Sequence, residues 1–487
     1  MRKLVFAIVL ATTLGLPVSL AQGPTESAIT KVERKNRVPI NNETLRVKLP
    51  KATETTLSNG LTVLVLEDHR IPRASIQFVI DGAGSLHEPA DTPGLASTTA
   101  QMMREGTKTK DSSKLASEVE QLGASLASSS PFGSGAATVS AAGLSDNFDR
   151  WLALAADVLL NPAFPAAELD KLKQRLKTNL TQQRSTAAFL ANERFVKAVY
   201  GSHPAAVAAP TAASIDSLTS ERLAQWHRER YKPQNAILAV AGDVKASTLI
   251  PKLESALANW KKSDLKPTPL RSAVAADAKR VLLVDRPGSV QTYITMGNVA
   301  IDRRDADYYA LVVANAVIGA PQVGRLYVNL RQEKGFTYAI NSTFDAQKFA
   351  GPWRSASEVR TEVTDAALTE YLREIKRLND EPVADNELEE RKRAIVANFA
   401  LSLENPEQVL AYAVTRKTFE FPSDYWDAYA GKIMSVTKAD VQRVARKYID
   451  PNRLQIIAVG DGSKIRGILE KYGPVQVYGI DGSLRTP

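Results

Sequence analysis

Hydrophobic and polar residues near the start of the chain follow the pattern of β-strands. Residues 55–57 and the apolar run at residues 61–66 flank Ser58-Asn59-Gly60, and an Asn-Gly pair between two such runs is typical of a β-hairpin. Residues 74–80 predict a further strand. The folded part of the protein is therefore expected to begin at about residue 55.

Two amphipathic helices are predicted downstream. The first has apolar residues at helical spacing between Phe148 and Leu159, with Asp146 as a candidate N-cap and Asn161-Pro162 as the stop. The second has the leucine stripe Leu169, Leu172, Leu176 and Leu180. Both stripes are typical of helices that pack one face on a core.

Three segments of the first half recur in the second half, in the same order and at a nearly constant offset. Ser217-Leu218-Thr219 recurs as Ser435-Val436-Thr437, and a β run that closes on Gly242-Asp243 recurs as one that closes on Gly460-Asp461. Tyr231 and Asn235, which lie between them, likewise match Tyr448 and Asn452. Ser75-Ile76-Gln77 also resembles Ser289-Val290-Gln291, at a slightly smaller offset. The repeats predict an α+β protein of two homologous domains, residues 55–265 and 279–487, joined by a linker at 266–278.

Composition agrees with this organisation and narrows the function. The chain has 487 residues, 44% of them hydrophobic, which is too long for one typical core. Its formal charge of +9 is spread along the chain without a dense basic block or a nucleic-acid module, so nucleic-acid binding is not expected. A basic surface favours either acidic peptides or anionic lipid headgroups, and net charge alone does not choose between them.

The N-terminus predicts export. Arg2 and Lys3 precede an apolar run at residues 4–16, and Ser19 and Ala21 are small residues before a cleavage site, so residues 1–21 are interpreted as a signal peptide. We expect a periplasmic or secreted protein, with an extended polar arm at residues 22–54 and no later membrane span. The absence of cysteine excludes disulfides, thiol catalysis and Cys-based metal sites.

The segment from Gly94-Leu95-Ala96 to Gly106-Thr107 resembles the zinc-binding helix of the insulinase (pitrilysin, M16) peptidases. That family has His-x-x-Glu-His here, two imidazoles one helical turn apart beside a carboxylate that takes a proton from zinc-bound water. In this chain the two histidine positions are Ser97 and Gln101, and the glutamate position is Ala100. The last ligand of the family falls near Lys177, in a stretch that contains no acidic residue from Lys171 to Asn192. We therefore expect no zinc in this chain.

A second stretch of the family survives. Residues 330–338, with Arg331 and Tyr338, resemble the segment in which an Arg and a Tyr seven residues apart reach the active site. Leu326 and Leu330 predict a helix face, Gly335 its end, and Tyr338 the start of a strand. The alternative interpretation is a surface arginine in a salt bridge and a half-buried tyrosine at the strand start.

The resemblance extends from about residue 55 to the C-terminus and implies an insulinase-like metallohydrolase fold, in which each domain is an antiparallel-rich sheet with helices on one face. Some bacterial members divide the work between two subunits, one with zinc ligands and one with the Arg/Tyr pair. The resemblance thus implies a heterodimer in which Arg331 and Tyr338 complete the active site of a zinc-bearing subunit that cuts unfolded peptides. Two alternatives stay open: a peptide-binding chaperone or scaffold without catalysis, and a stand-alone peptidase with a metal site of another kind.

Overall fold

Two mixed β-sheets, one in each half of the chain, form the framework of the protein. The computed structural model describes residues 45, 47–264 and 268–485. The predicted signal peptide and most of the predicted arm lie outside the described residues. Within the described residues, no helix has the length and apolar character needed to cross a membrane.

The first sheet has six strands in the order β1-β2-β6-β3-β5-β4 and is antiparallel except between β2 and β6. The second has seven in the order β13-β12-β7-β11-β8-β10-β9, with two parallel pairs, β7–β11 and β7–β12. The strands are β1 (Thr53–Thr56), β2 (Thr62–Glu67), β3 (Arg73–Asp81), β4 (Ser125–Ser129), β5 (Ala136–Leu144), β6 (Ala236–Gly242), β7 (Arg280–Asp285), β8 (Gln291–Ile301), β9 (Thr337–Phe344), β10 (Gly351–Arg360), β11 (Gln455–Gly460), β12 (Val475–Tyr478) and β13 (Leu484–Arg485).

Helices accompany each sheet and pack mainly on one of its faces, as predicted. In the first half they are α1 (Leu95–Met102), α2 (Ser112–Gln121), α3 (Phe148–Leu160), α4 (Ala166–Arg184), α5 (Ala187–Tyr200), α6 (Ala212–Ser217), α7 (Ser220–Arg230) and α8 (Ala246–Ala256). In the second half they are α9 (Tyr308–Gly319), α10 (Arg325–Tyr327), α11 (Thr364–Asp380), α12 (Asp385–Ser402), α13 (Pro406–Thr418), α14 (Tyr429–Met434), α15 (Lys438–Tyr448) and α16 (Gly462–Leu469).

The two halves share one topology, which confirms the predicted duplication. The order β2-β6-β3-β5-β4 in the first sheet corresponds to β7-β11-β8-β10-β9 in the second, strand for strand in chain order. Thr62 of β2 pairs with Ile237 of β6, and Arg280 of β7 pairs with Gln455 of β11. Arg280 follows Thr62 by the same number of residues as Gln455 follows Ile237, so the register of the two strand pairs is the same. Thr219 and Thr437, which the sequence comparison matched, are the side-chain N-caps of α7 and α15.

Two details of the sequence interpretation were wrong. Ile76 pairs with Val240 and Ile294 with Ala458, so β3 and β8 are related by the same step as the other strands, and the counterpart of Ser75 is Tyr293 and not Ser289. Short sequence matches between β-rich segments can be shifted by a few residues, because such segments have similar composition. Asp146 is not the cap of α3: it lies in a 3-10 turn, and the N-cap position belongs to Asn147, whose side chain makes no capping hydrogen bond.

Each half also packs one helix on the sheet of the other half. On β2 and β6, the alternate residues that face away from the first core contact Val409, Leu410 and Ala413 of α13, which belongs to the second half. On β7, β8 and β11, the corresponding residues contact Leu190, Phe195 and Val199 of α5, from the first half. Successive strand residues point to opposite faces, so these central strands are buried on both sides.

The described end of the predicted arm packs on the second half. Leu49 donates its backbone N–H to Asp427 Oδ1 at 3.1 Å, and its side chain, with that of Val47, contacts an aromatic cluster that contains Phe399 and Trp426. The described part of the predicted linker contains no helix or strand, and Ala276 exchanges two hydrogen bonds with the side chain of Asn298. The described residues thus form one compact unit.

Candidate functional site

Helix α1 carries Ser97, Ala100 and Gln101, which the family resemblance matches to two zinc ligands and the general base. Ser97 and Gln101 lie one turn apart, and Gln101 Nε2 donates to Ser97 O at 3.3 Å and to Ser97 Oγ at 3.2 Å. The side chain of Ala100 is completely buried. The fold thus places residues 97 and 101 side by side, as two imidazole ligands require. A hydroxyl and an amide are not the ligands that zinc selects, however, and alanine cannot take a proton.

No other described residues supply a set of zinc ligands. Within the described part of the chain, no group of three or more His, Cys, Asp or Glu side chains is arranged to hold a metal ion. Lys177, near the expected last ligand, lies on α4 and forms an ion pair with Asp216. His203 and His227 each hydrogen-bond a backbone carbonyl, of Arg271 at 2.9 Å and of Leu159 at 2.8 Å. The residues present do not fit a zinc ion, and we derive no metal chemistry within this chain.

Glu88 holds the start of α1, a role that the sequence analysis missed. Its Oε2 accepts the backbone N–H of Gly94 at 2.9 Å and its Oε1 accepts that of Ala96 at 2.6 Å. Gly94 has a φ of 100°, which favours glycine. Burial raises the pKa of Glu88 to about 7, although the hydrogen bonds from the start of α1 oppose the rise. The spacing of six and eight residues from acceptor to donor matches no capping motif, so no local pattern indicated this contact.

Arg331 and Tyr338 lie on the two sides of a helix-to-strand turn, as the sequence predicted. Helix α10 continues as a single π-helical segment over Val328–Glu333, and Leu326 and Leu330 are fully buried beneath it. Gly335, with a φ of 63°, reverses the chain, and Phe336 N–H donates to Leu330 O at 2.9 Å. Strand β9 then begins at Thr337. A π-helical turn widens the helix and is frequent at functional sites.

Tyr338 is open to solvent, and Arg331 beside it is half-buried. Tyr338 is 85% exposed, and the Arg331 Cζ lies 5.5 Å from the centroid of its ring. No carboxylate in the described part of the chain forms an ion pair with Arg331. The alternative interpretation required a salt-bridged arginine and a half-buried tyrosine, and neither is found. The catalytic role of the two residues itself stays a prediction.

A β-bulge presents Tyr338 to solvent. On β10, Ser357 pairs with Ile340 and Val359 pairs with Thr337, so Tyr338 and Ala339 together face the single residue Glu358. Ser357 Oγ donates to Thr337 Oγ1 at 2.8 Å, and Thr337 Oγ1 donates to Glu358 O at 2.8 Å. Because Thr337 and Ser357 are both buried, this network fixes the bulge from the inside.

The pair borders a cavity of about 610 Å³ with a positive lining. Arg331, Arg354 and Arg360 line it, against the single carboxylate of Glu358. Arg354 donates to Asn192 Oδ1 of α5 at 2.6 Å, and none of the three arginines forms an ion pair within the described residues. The sequence analysis did not find Arg354 and Arg360 because they approach Arg331 only through the pairing of β10 with β9.

The two candidate sites stay apart within this chain. Ser97 and Gln101 meet on α1, and Arg331 and Tyr338 meet at the edge strand β9. No hydrogen bond, ion pair or ring contact between described residues joins one pair to the other. The site around Arg331 is therefore a set of hydrogen-bond donors at a sheet edge.

Comparisons with known families identify both halves. Residues 62–209 match the model described as insulinase (peptidase family M16), and residues 217–395 match the model described as the peptidase M16 inactive domain. The two matches together cover more than half of the chain. The first includes Ser97 to Gln101, and the second includes Arg331 and Tyr338.

Individual relatives agree with this assignment. An uncharacterized zinc protease of Bacillus subtilis, YmxG, is 24% identical over 357 residues, which cover 72% of this chain and 84% of that protein. The "Probable mitochondrial-processing peptidase subunit beta" of Schizosaccharomyces pombe is 29% identical over 209 residues, 42% of this chain and 45% of its own. The crystal structure of a peptidase M16 inactive domain from Pseudomonas fluorescens shares the fold, with a TM-score of 0.78 at 24% identity over 84% of this chain and 98% of that one.

Proposed function

Because the chain belongs to the insulinase family of M16 peptidases, we propose that it is an exported peptidase-like subunit that works in trans. It has no zinc site of its own and supplies Arg331 and Tyr338 to the active site of a zinc-bearing partner that cuts unfolded peptides. The observation that carries the proposal is the exposed Tyr338 beside Arg331, which forms no ion pair within the described residues. The same chain has Ser97, Ala100 and Gln101 where the family resemblance expects the zinc motif.

The chemistry of the pair suits peptide-bond cleavage. As a peptide carbonyl is attacked, negative charge develops on its oxygen, and donors fixed at that oxygen stabilise the transition state. The Tyr338 hydroxyl donates one hydrogen bond to that oxygen, and the Arg331 guanidinium binds the same or the adjacent carbonyl. The zinc of the partner supplies the activated water. Loss of one such donor costs a factor of about 10²–10³ in rate.

The position of the pair supports action in trans. Tyr338 is exposed on edge strand β9, and no hydrogen bond, ion pair or ring contact between described residues joins it to α1. A second subunit can therefore approach the donors without rearrangement of this chain. One relative, the Schizosaccharomyces pombe protein, is itself named as a subunit of a processing peptidase.

Reconstitution with a zinc-bearing M16 subunit from the same organism tests the proposal. The two chains are co-expressed, and cleavage of a quenched fluorescent peptide is measured for wild type, Arg331→Ala and Tyr338→Phe. Arg304→Ala and Tyr327→Phe, which lie outside the site, serve as matched controls. We expect each site variant to lower kcat about 10²–10³-fold, with the complex intact by gel filtration and the controls unchanged.

Three other outcomes would each change the conclusion. Full activity of both site variants would remove the catalytic role of the pair. A complex that binds unfolded peptide but never cuts it would favour the chaperone or scaffold function. Chelator-sensitive cleavage by the purified chain alone would favour a stand-alone peptidase. Export is tested separately. The mature protein is expected in the periplasmic or secreted fraction, with its N-terminus near Gln22.

A further inference from the structure

A second cavity, of about 600 Å³, lies in the C-terminal half at the far end of β9 from Tyr338. Its walls are mainly aromatic and include the rings of Tyr308, Phe344, Phe399, Tyr412 and Trp426. Phe344 ends β9, six residues after Tyr338, and a strand rises about 3.3 Å per residue. The cavity is thus roughly 20 Å along the strand from the proposed catalytic pair and forms a separate site.

Arg303 lines this cavity as a buried cation that no described carboxylate neutralises. It is only 8% exposed, and its guanidinium carbon lies 3.6 Å from the centroid of the Tyr308 ring. The rings of Tyr425 and Trp426 lie 5.7 Å away. Its Nη1 is buried and has no hydrogen-bond partner, and no ion pair links Arg303 to a carboxylate within residues 47–264 and 268–485. Aromatic faces stabilise the positive charge only in part, and a buried donor without a hydrogen-bond partner lowers the stability of the fold.

We propose that this cavity binds the terminal carboxylate of a peptide that ends in an apolar or aromatic residue. The carboxylate places an acceptor and a negative charge against Arg303, and guanidinium binds carboxylate through two parallel hydrogen bonds. The aromatic walls then bury the last side chain of the peptide. The side-chain amides of Asn398 and Gln408 line the same cavity and offer partners to the peptide backbone.

The lining selects a monoanion over a phosphate. Arg303 is the only cationic side chain that lines this cavity among the described residues, and one unit of positive charge matches one carboxylate. A phosphate group carries close to two negative charges and binds where several cations or backbone N–H groups converge. The proposal concerns binding by this chain alone and does not rest on the catalytic partnership proposed above.

Binding of a matched pair of peptides to the full mature chain tests the proposal. The probes are acetyl-Ala-Ala-Phe with a free carboxylate and the same peptide as its carboxamide. Affinity is measured by isothermal titration calorimetry, and tryptophan fluorescence reports occupancy because Trp426 forms part of the wall. We expect the carboxamide to bind at least about tenfold more weakly, because it lacks the charge-assisted hydrogen bonds. Arg303→Gln should remove the preference, and Arg304→Gln, an exposed neighbour, should keep it.

Several results would overturn the proposal. They are equal affinity for acid and carboxamide, no binding of either peptide to the wild-type protein, or acetate binding as tightly as the peptide. Concentration-dependent self-association that blocks the peptide would instead assign the cavity to a second copy of the chain. If Arg303→Gln fails to fold by circular dichroism, the comparison of acid with carboxamide on the wild-type protein still decides.

Discussion

Replacement of Glu88 by glutamine should abolish a pH dependence of stability that the wild-type protein shows. In the folded state the pKa of Glu88 is raised to about 7, mainly by burial, whereas its ordinary value is 4.5. Between these two pH values the folded protein keeps a proton that the unfolded chain has lost. The contribution of Glu88 to stability is therefore fully present below pH 4.5 and is lost as the pH rises through 7.

The magnitude follows from the size of the shift. A difference of 2.5 between the two values (7 − 4.5) corresponds to about 3 kcal/mol, at about 1.4 kcal/mol per pKa unit. Glu88→Gln has no ionisable proton and lacks this term. In this variant the amide nitrogen replaces one carboxylate oxygen and cannot accept the backbone N–H of Gly94 or Ala96. The unpaired N–H lowers stability by about 1–3 kcal/mol at every pH.

Urea unfolding at several pH values between 4.5 and 8.5 measures both effects. The difference in unfolding free energy between wild type and Glu88→Gln should be large at low pH and shrink by up to about 3 kcal/mol at high pH. Glu120→Gln, at an exposed position on α2, should follow the wild-type curve. Parallel curves for wild type and Glu88→Gln would show that the carboxylate is ionised throughout and that the helix start outweighs burial.

The fold and the site lead to three further expectations. Phe195→Ala, which removes a buried ring of α5 from the sheet of the other half, should lower the unfolding free energy by about 3–5 kcal/mol in urea titrations, and a small change would argue against tight packing there. Ser357→Ala, which leaves the bulge short of one donor, should cost about 1–3 kcal/mol and lower cleavage by the reconstituted complex, whereas unchanged activity would separate the bulge from Tyr338. The complex should cleave acidic peptides in preference to basic ones, and Arg360→Gln should reduce this preference several-fold at low salt, unless charge at the cavity plays no part.

The two helices α5 and α13 each cover the sheet of the other half of the chain. Strands β2 and β6 are covered by α13, and strands β7, β8 and β11 by α5, so each half completes the core of the other. Separate expression of either half would expose an apolar sheet face. We therefore expect either half expressed alone to be less stable than the whole chain.

The sequence by itself determined the features that depend on local spacing. The hairpin around Gly60, the end of α3 at Asn161, and the duplication through Thr219 and Thr437 follow from period, turn residues and caps, which act over a few residues. The spacing around Gly335 also predicted the turn between Arg331 and Tyr338, and the family resemblance added the match of Ser97, Ala100 and Gln101 to the zinc motif. These conclusions needed no knowledge of distant contacts.

Only the tertiary structure decided which distant residues meet. Glu88 reaches α1 through a loop, Arg354 contacts Asn192 of a helix in the other half, and Arg303 enters an aromatic cavity built from α9, α12 and α13. The exposure of Tyr338 depends on a bulge formed against β10, the strand that follows β9 along the chain. Such contacts are set by sheet register and helix packing. Both bring together segments that are far apart in the sequence, and a local sequence pattern does not indicate which segments will meet.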